Sequence, residues 1–425
     1  MTSTAQLCLI TPTHLANSPR VVKEAITLRA AGYRVRVVCG RNTRSLDDDD
    51  LELISKHHLE VHRVDTFRHV KTLLDDLRFR MARRRRRLHR TPSLTDCALA
   101  ENRSVGALLR TVHRLPRADL YLGHAPSGLA VAGDVADRHN ACLGFDAEDF
   151  HSAETHDVVN NPAALHGLRL IERTYLPRCG HITAASPLIG EAYTEAYQVG
   201  PLRTVLNTFP KQEGLVSPSL RPAGHRPKLY WYSQTIGPGR GLETVIRILG
   251  NMKTPCDLDL RGEASPGFIE ELKNMCRQAG YGGLLQILPR AKPDSLVTLA
   301  TPYDLGLALE QTAPHNRDLC LTNKLFTYLL AGIPVAYTPT RAQRYFAAKV
   351  GDAAIELSED EPAATAQRLD QYFATPTAQR RAREQAWKAA QSRYHWEFDA
   401  RELLDSLRQA LDEHRARRPH SRRSV

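Results

Sequence analysis

Residues 304–336 constrain the fold more than any other stretch. They read Asp-Leu-Gly-Leu-Ala-Leu-Glu, a polar run, then Asn-Lys-Leu-Phe-Thr-Tyr-Leu-Leu-Ala-Gly-Ile-Pro-Val-Ala. Leu305, Leu307 and Leu309 are apolar at period two, which predicts a strand ending at Glu310. Leu325, Phe326, Leu329 and Leu330 fall on one face of a following helix. Gly332 can end that helix and Pro334 blocks its continuation. Val335 and Ala336 open the next strand. Strand, helix and strand in this order make a parallel sheet, whose strand ends and helix starts share one rim where ligands collect. Glu310 belongs to that rim. So does the helix start at Asn323 and Lys324, whose free amides and dipole suit a phosphate.

The N-terminal region repeats the pattern. Residues 7–11 read as a buried strand. A helix starts with Ser18 as its N-cap and Pro19 at the first helical position, and Gly32 closes it. A second strand follows from Arg34. No Gly-x-Gly-x-x-Gly occurs in the first loop, which argues against a dinucleotide-dependent oxidoreductase. Residues 118–128 read as strand, loop and helix, with His124 at the strand end. Further on, residues 237–241 (Gly-Pro-Gly-Arg-Gly) form the end of a glycine-rich turn before a helix. There the backbone of Gly237 and Gly239 can approach a phosphate and Arg240 can neutralise it.

The chain has 425 residues, enough for two domains of ordinary size. We place the first domain at residues 1–211, a proline-rich linker at 212–228 and the second domain at 229–390. A C-terminal helix at 391–413 and a disordered basic tail at 414–425 complete the division. No run of about 18 apolar residues predicts a membrane span. The N-terminus lacks the basic and apolar regions of a secretory signal. Eight cysteines occur without any Cys-x-x-Cys pair, so reduced core thiols in a cytoplasmic protein are expected. Asp47 to Asp50 are expected to form a flexible acidic loop, not a metal site.

The net charge of +11 is concentrated in two segments. Residues 78–90 hold eight arginines and no acid, and residues 414–425 hold five and no acid. Without these thirteen arginines the remainder carries −2. That does not fit a general nucleic-acid binder, which spreads positive charge over a folded face. Residues 69–90 are expected to be helical, with Val70, Leu73, Leu74 and Leu77 on an apolar face and Met81 beyond. Such a helix suits an anionic lipid surface, and would give the protein a peripheral place at the inner face of a membrane.

Several of these segments resemble the retaining glycosyltransferases of family four, which have the GT-B fold. The resemblance rests on Glu310, the Asn323-Lys324-Leu325-Phe326 helix start and the Gly332-x-Pro334-Val335 turn. Ser18-Pro19-Arg20, Asp119 with His124, the Gly144-Phe-Asp146-Ala-Glu148 turn and the Tyr394-His-Trp396-Glu397 step support it. It implies an α/β architecture of two Rossmann-like, doubly wound parallel-sheet domains facing across a cleft, with the last helix crossing back to the first domain. It also implies transfer of a sugar from a nucleotide-diphosphate-sugar donor to an unknown acceptor (a glycan, a lipid-linked acceptor or a small molecule). Anomeric configuration would be retained, and no metal or other cofactor required.

By this resemblance Glu310 is the first acid of the family's Glu-x7-Glu pair and touches the transferred sugar. Thr327 stands at the second acid's position. Arg240 stands at the family's loop lysine and Thr235 at its loop arginine. The implied donor site is Thr235, Gly237, Gly239, Arg240, Glu310, Asn323, Lys324, Leu325 and Thr327. His124, Glu310, Arg240 and Lys324 would carry the catalysis. His14, Ser18, Arg20 and Glu148 would line the acceptor side, with His14 and Arg20 facing the cleft. Two alternatives stay open: a non-catalytic binding protein of the same fold, and a nucleic-acid-associated protein that uses the arginine segments.

Overall fold

The computed structural model describes residues 4–67, 72–89, 91–155, 159–215 and 224–417. The chain divides into two compact units, Met1–Val205 with Ala400–Val425, and Leu206–Asp399. Each is built on its own parallel sheet, flanked by helices.

The first sheet has seven strands: β1 Gln6–Thr11, β2 Arg34–Arg41, β3 Glu60–Asp65, β4 Leu120–His124, β5 Cys142–Ala147, β6 His181–Ala184 and β7 Arg203–Thr204. Their order is β3-β2-β1-β4-β5-β6-β7, and every pairing is parallel. The chain builds outward through β2 and β3, then returns to lay β4 on the other side of β1. The order therefore reverses between β1 and β4, and the loops leaving these strands part there to open a crevice. The helices used below are α1 Pro19–Ala30, α2 Asp47–His57, α3 Leu73–Leu88, α4 Leu94–Glu101, α5 Val105–Arg114 and α6 Ala125–His139. The core gathers Leu7 and Leu9 of β1, Val37 of β2, Leu122 of β4 and Ala25 and Leu28 of α1. Leu407, Ala410 and Leu411 of the helix Trp396–Ala416 belong to the same core.

The second sheet has six parallel strands: β8 Lys228–Ile236, β9 Asp257–Ala264, β10 Leu285–Leu288, β11 Leu305–Ala308, β12 Val335–Tyr337 and β13 Ala354–Glu356. The order β10-β9-β8-β11-β12-β13 reverses between β8 and β11. The second core packs against one face of this sheet, where Leu229, Trp231, Leu258, Leu260, Leu305 and Leu307 stand in register.

Several expectations change in detail. Strand β11 ends at Ala308, two residues before Glu310. All four of its residues are buried, as in a central parallel strand covered on both faces, so the leucine alternation does not mark a half-exposed strand. Strand β8 runs through Ile236 with an irregularity between Tyr232 and Thr235, so Thr235 lies in the strand, not the turn. Asp47 to Asp50 are not a flexible loop. They form the first turn of α2, where carboxylates favour the helix dipole, and Asp50 is fully buried. The basic helix spans Leu73–Leu88, and residues 68–71 and 90 lie outside the described residues. The last helix extends to Ala416, so the tail from 414 is helical at its start, while 418–425 lie outside the described residues. Of the expected linker, residues 216–223 also lie outside them. All eight cysteines are free, five of them buried, as expected for core thiols.

Candidate functional site

Both order reversals carry candidate site residues, and each unit is described by itself.

In the second unit, β8 and β11 are hydrogen-bonded neighbours, so the loops after them leave the sheet side by side. The β8 loop holds Gly237, Gly239, Arg240 and Gly241, and the β11 loop holds Glu310. Gly239 and Gly241 have φ of +68° and +76°, a backbone region that favours glycine. Gly241 also packs against the β11 loop, since a Cβ there would stand 2.9 Å from the Leu309 Cβ. Arg317 Nη1 donates to the Gly239 carbonyl at 3.1 Å and ties the two loops together. Arg240 is exposed between the two glycines.

Glu310 Oε1 accepts from Lys324 Nζ at 3.3 Å, and both side chains retain some exposure. Lys324 Nζ also stands 5.9 Å from the centre of the Trp231 ring, so one cation is shared between a carboxylate and an aromatic face. Asn323 and Lys324 open the helix Asn323–Leu330, whose first amides face this rim. The helix ends as expected, with Gly332 at φ +68° and the Ile333 amide donating back to Tyr328 O. Leu325 is fully buried beneath the helix start. Thr327 is also fully buried. Its hydroxyl donates to Asn323 O at 3.0 Å and pairs with the Tyr232 hydroxyl at 2.7 Å. Thr327 thus props Tyr232 and the helix start and presents no surface of its own.

In the first unit, His124 ends β4 and Arg20 is the second residue of α1. Arg20 is fully buried: Nε and Nη2 bind the two Asp146 oxygens at 2.5 and 2.6 Å, and Nη1 donates to Val205 O at 2.7 Å. Thr183 Oγ1 donates to Asp146 at 2.6 Å. His124 stands between two buried carboxylates, with Nε2 3.2 Å from Glu24 Oε2 and Nδ1 3.4 Å from Asp146 Oδ2. Glu24 is also 3.6 Å from Arg20 Nε, one helical turn away. Two cations and two carboxylates therefore share one dry cluster.

The electrostatics follow from this arrangement. Burial alone would favour neutral imidazole, but Glu24 and Asp146 overcome it and raise His124 to about 10. Burial alone would raise Asp146, but Arg20 and His124 hold it well below the usual carboxylate range. His124 is thus a fixed cation near neutral pH and not a general base. Glu24, His124 and Asp146 offer ligand atoms within 4.8 Å of one another, a spacing that could hold a metal ion. A divalent ion there would meet the Arg20 guanidinium, which already occupies both Asp146 oxygens, so the ion cluster is the better description.

The backbone beside this cluster is strained. Ala125, next to His124, has φ +58°, which costs a non-glycine residue on the order of 1 kcal/mol and persists only when its surroundings enforce it. Tight packing does so here: a Cβ on Gly123 would come 2.5 Å from Leu129 N, and one on Gly128 would come 2.7 Å from Ile10 O.

His14 and Arg20 are both fully buried, and each binds partners within the first unit. His14 Nε2 accepts from the amides of Asn42 and Thr43, both at 2.9 Å, so Nδ1 carries the proton and donates to Asp50 at 2.7 Å. This neutral imidazole staples three segments together. Ser18 takes the N-cap position of α1, but its side chain makes no capping bond. Its Oγ pairs instead with Thr13 Oγ1 at 2.8 Å. Glu148 is exposed. The Asp149 and Asp146 charges push its carboxyl upward, against the pull of Arg20. Sequence reasoning missed Glu24, Asp50, Trp231, Tyr232 and Arg317. The four-residue spacing of Arg20 and Glu24 was the one local signal available.

No protein-family model matches the chain, and no curated protein matches it in sequence. Solved structures do match in fold. Sucrose-phosphate synthase from Thermosynechococcus elongatus has a TM-score of 0.71 at 13% identity, covering 96% of this chain and 100% of that one. Anabaena HepE in complex with UDP has a TM-score of 0.68 at 14% identity, covering 95% and 100%. Staphylococcus aureus TarM in a complex that includes UDP has a TM-score of 0.64 at 8% identity, covering 95% and 99%. The chain has the GT-B fold of these proteins, two Rossmann-like parallel-sheet units.

Proposed function

We propose that this protein is a glycosyltransferase that moves a sugar from a nucleotide-diphosphate-sugar to an acceptor. The observation that carries this reading is the Glu310–Lys324 pair, set at the order reversal of the second sheet beside a glycine-rich loop and a helix start. An acid beside a cation at such a crevice suits a ligand that joins a sugar to a diphosphate. HepE, a protein of the same fold, binds UDP-glucose.

The main task is to stabilise charge that grows on the departing diphosphate. Lys324, Arg240 and the amides at Asn323 are placed for this. Glu310 positions Lys324 before the donor arrives. When the diphosphate draws Lys324 away, Glu310 is freed to accept from sugar hydroxyls. Retention follows if the departing phosphate takes the acceptor's proton on the face it leaves. On this account no metal is needed, since the cations come from the chain. His124, as a fixed imidazolium beside the strained Ala125, sets a positive field on the acceptor side, where the exposed Glu148 offers a carboxylate that can accept from hydroxyl groups. His14, Ser18 and Arg20 serve as framework.

The test is donor binding and turnover. The protein is mixed with UDP-, GDP- and dTDP-sugars in EDTA without acceptor, and released nucleoside diphosphate is assayed. Trp231 fluorescence and thermal stabilisation report binding in parallel. One donor is expected to stabilise the protein and to be hydrolysed slowly. Lys324→Ala should cut turnover by about 100-fold, as loss of one preorganised charge contact does. No stabilisation by any donor overturns the reading. Stabilisation by a donor with no transfer to any acceptor favours a binding protein, a reading to which the threonine at 327 lends support.

A further inference from the structure

Among the described residues nine large apolar side chains are exposed, and five of them stand on α3. They are Leu73 at 58% exposure, Leu74 at 66%, Leu77 at 54%, Met81 at 44% and Leu88 at 69%. On a helix with 3.6 residues per turn these five fall within an arc of about 100°. The opposite face is the one that packs, with Asp75, Ala82 and Arg86 buried.

That inner face is fastened by charge. Arg110 Nη1 binds Asp75 at 2.6 Å, Arg103 Nε binds Asp76 at 2.9 Å, and Arg86 lies 3.5 Å from Glu101. Gly167 makes room for Arg86, since a Cβ there would stand 2.7 Å from the arginine Cδ. The helix is held in this orientation, so its exposed stripe is a built surface and not a frayed segment.

The stripe is bordered by cations. Arg78 and Arg85 lie along one edge, Arg80 and Arg87 along the other, and Arg84 stands within it; all five are exposed. Arg85 lies 3.5 Å from Asp96 and Arg78 lies 4.0 Å from Asp75. Among the described residues, Arg80, Arg84 and Arg87 have no acidic partner. A second copy of the chain would bring these like charges together across the stripe. A nucleic acid would satisfy the arginines and leave the leucines against phosphate. An anionic bilayer surface satisfies both, taking leucines at the boundary between headgroups and acyl chains and arginines among the headgroups. No helix among the described residues is long and apolar enough to cross a membrane.

We propose that α3 docks the first unit on an anionic lipid bilayer, with Leu73, Leu74, Leu77, Met81 and Leu88 inserted and the flanking arginines on the headgroups. This rests on the surface of α3 alone and does not depend on the donor chemistry.

The test is co-sedimentation of the full chain with vesicles of phosphatidylcholine, with and without phosphatidylglycerol at about 30% of the lipid, a content high enough to give the surface a negative potential. The protein should sediment with the anionic vesicles, should stay behind with the neutral ones, and should be released by salt. One basic residue near such a surface strengthens binding roughly five-fold. The triple variant Arg80→Glu, Arg84→Glu, Arg87→Glu should therefore bind at least about 100-fold more weakly. Leu74→Ser with Leu77→Ser should also weaken binding roughly 100-fold, through lost apolar burial. All five positions are exposed, so melting midpoint and donor-induced stabilisation should match the parent protein in both variants. Three results overturn the proposal: a parent chain left in the supernatant with anionic vesicles, equal binding to neutral vesicles, or a leucine variant that abolishes self-association while vesicle binding is absent throughout. A parent chain that is stabilised by a donor but does not bind anionic vesicles counts against this proposal alone.

Discussion

Asp146→Asn is the substitution with the largest calculable effect. The side chain keeps its shape but loses its charge, and its new amide turns N–H groups toward Arg20, which already donates at 2.5 and 2.6 Å. Arg20 and His124 then share Glu24 as their one remaining buried carboxylate. Removing one member of a buried ion cluster costs about 3–5 kcal/mol, because it strands the charge that remains. For a unit of this size each kcal/mol lowers the melting midpoint by about 2–4 °C, so a fall on the order of 10 °C is expected at pH 6. Calorimetry of the full chain reads it. Tryptophan fluorescence run in parallel reports the second unit, since Trp231, Trp387 and Trp396 all lie within Leu206–Asp399. The effect should carry a pH signature. In the parent protein His124 titrates at about 10, so its stabilising contribution is complete below its ordinary value near 6.5 and is lost as pH rises toward 10. In the variant the imidazole has lost one of its two carboxylates and releases its proton earlier. The gap between the two proteins should therefore narrow from pH 6.5 to pH 10. A midpoint within about 2 °C of the parent at pH 6, or a gap that stays constant with pH, would refute the description of a dry cluster with His124 as its second cation.

The remaining predictions concern the same two sites. Asp146 is held far below its ordinary carboxylate value, so its contribution is present above about pH 4 and is lost in acid, while that of His124 is lost in alkali. Urea midpoints should thus be highest between about pH 4 and 6.5 as far as this cluster is concerned, and His124→Gln should flatten the alkaline side of that profile. Gly241→Ala places a Cβ 2.9 Å from that of Leu309 at a φ of +76°. It should cost about 1–2 kcal/mol and weaken donor binding by parting the two loops, which titration calorimetry would show. Tyr232→Phe removes the 2.7 Å bond to Thr327 and should cost about 1 kcal/mol in chemical unfolding, with a modest rise in donor KM.

The fold was legible because it rests on local patterns. Glycines closing helices, apolar strand runs and one strand–helix–strand rim foretold both parallel sheets. The rim around Glu310 and Lys324 was legible for the same reason, since strand end and helix start are neighbours in sequence. The first unit's cluster was not. Arg20 meets Asp146 across more than a hundred residues of chain, and nothing near Arg20 in sequence says whether it points to solvent or inward. His14 and Asp50 fail in the same way: four consecutive aspartates look like a loop until one of them is needed by a buried imidazole. The apolar face expected on the basic helix is present, but its orientation reverses the usual rule. Charged residues fasten α3 inward and its leucines stand outside, which periodicity alone cannot distinguish.

The last helix has a consequence for how the chain comes off the ribosome. Leu407, Ala410 and Leu411 complete a core begun by Leu7 and Leu9, and the whole second unit is translated in between. The nascent first unit must wait with that face uncovered, including the Gly180 surface on which Ala410 later rests. That cover arrives only after the second unit has been made, and the interval before then is when a chaperone has most to shield.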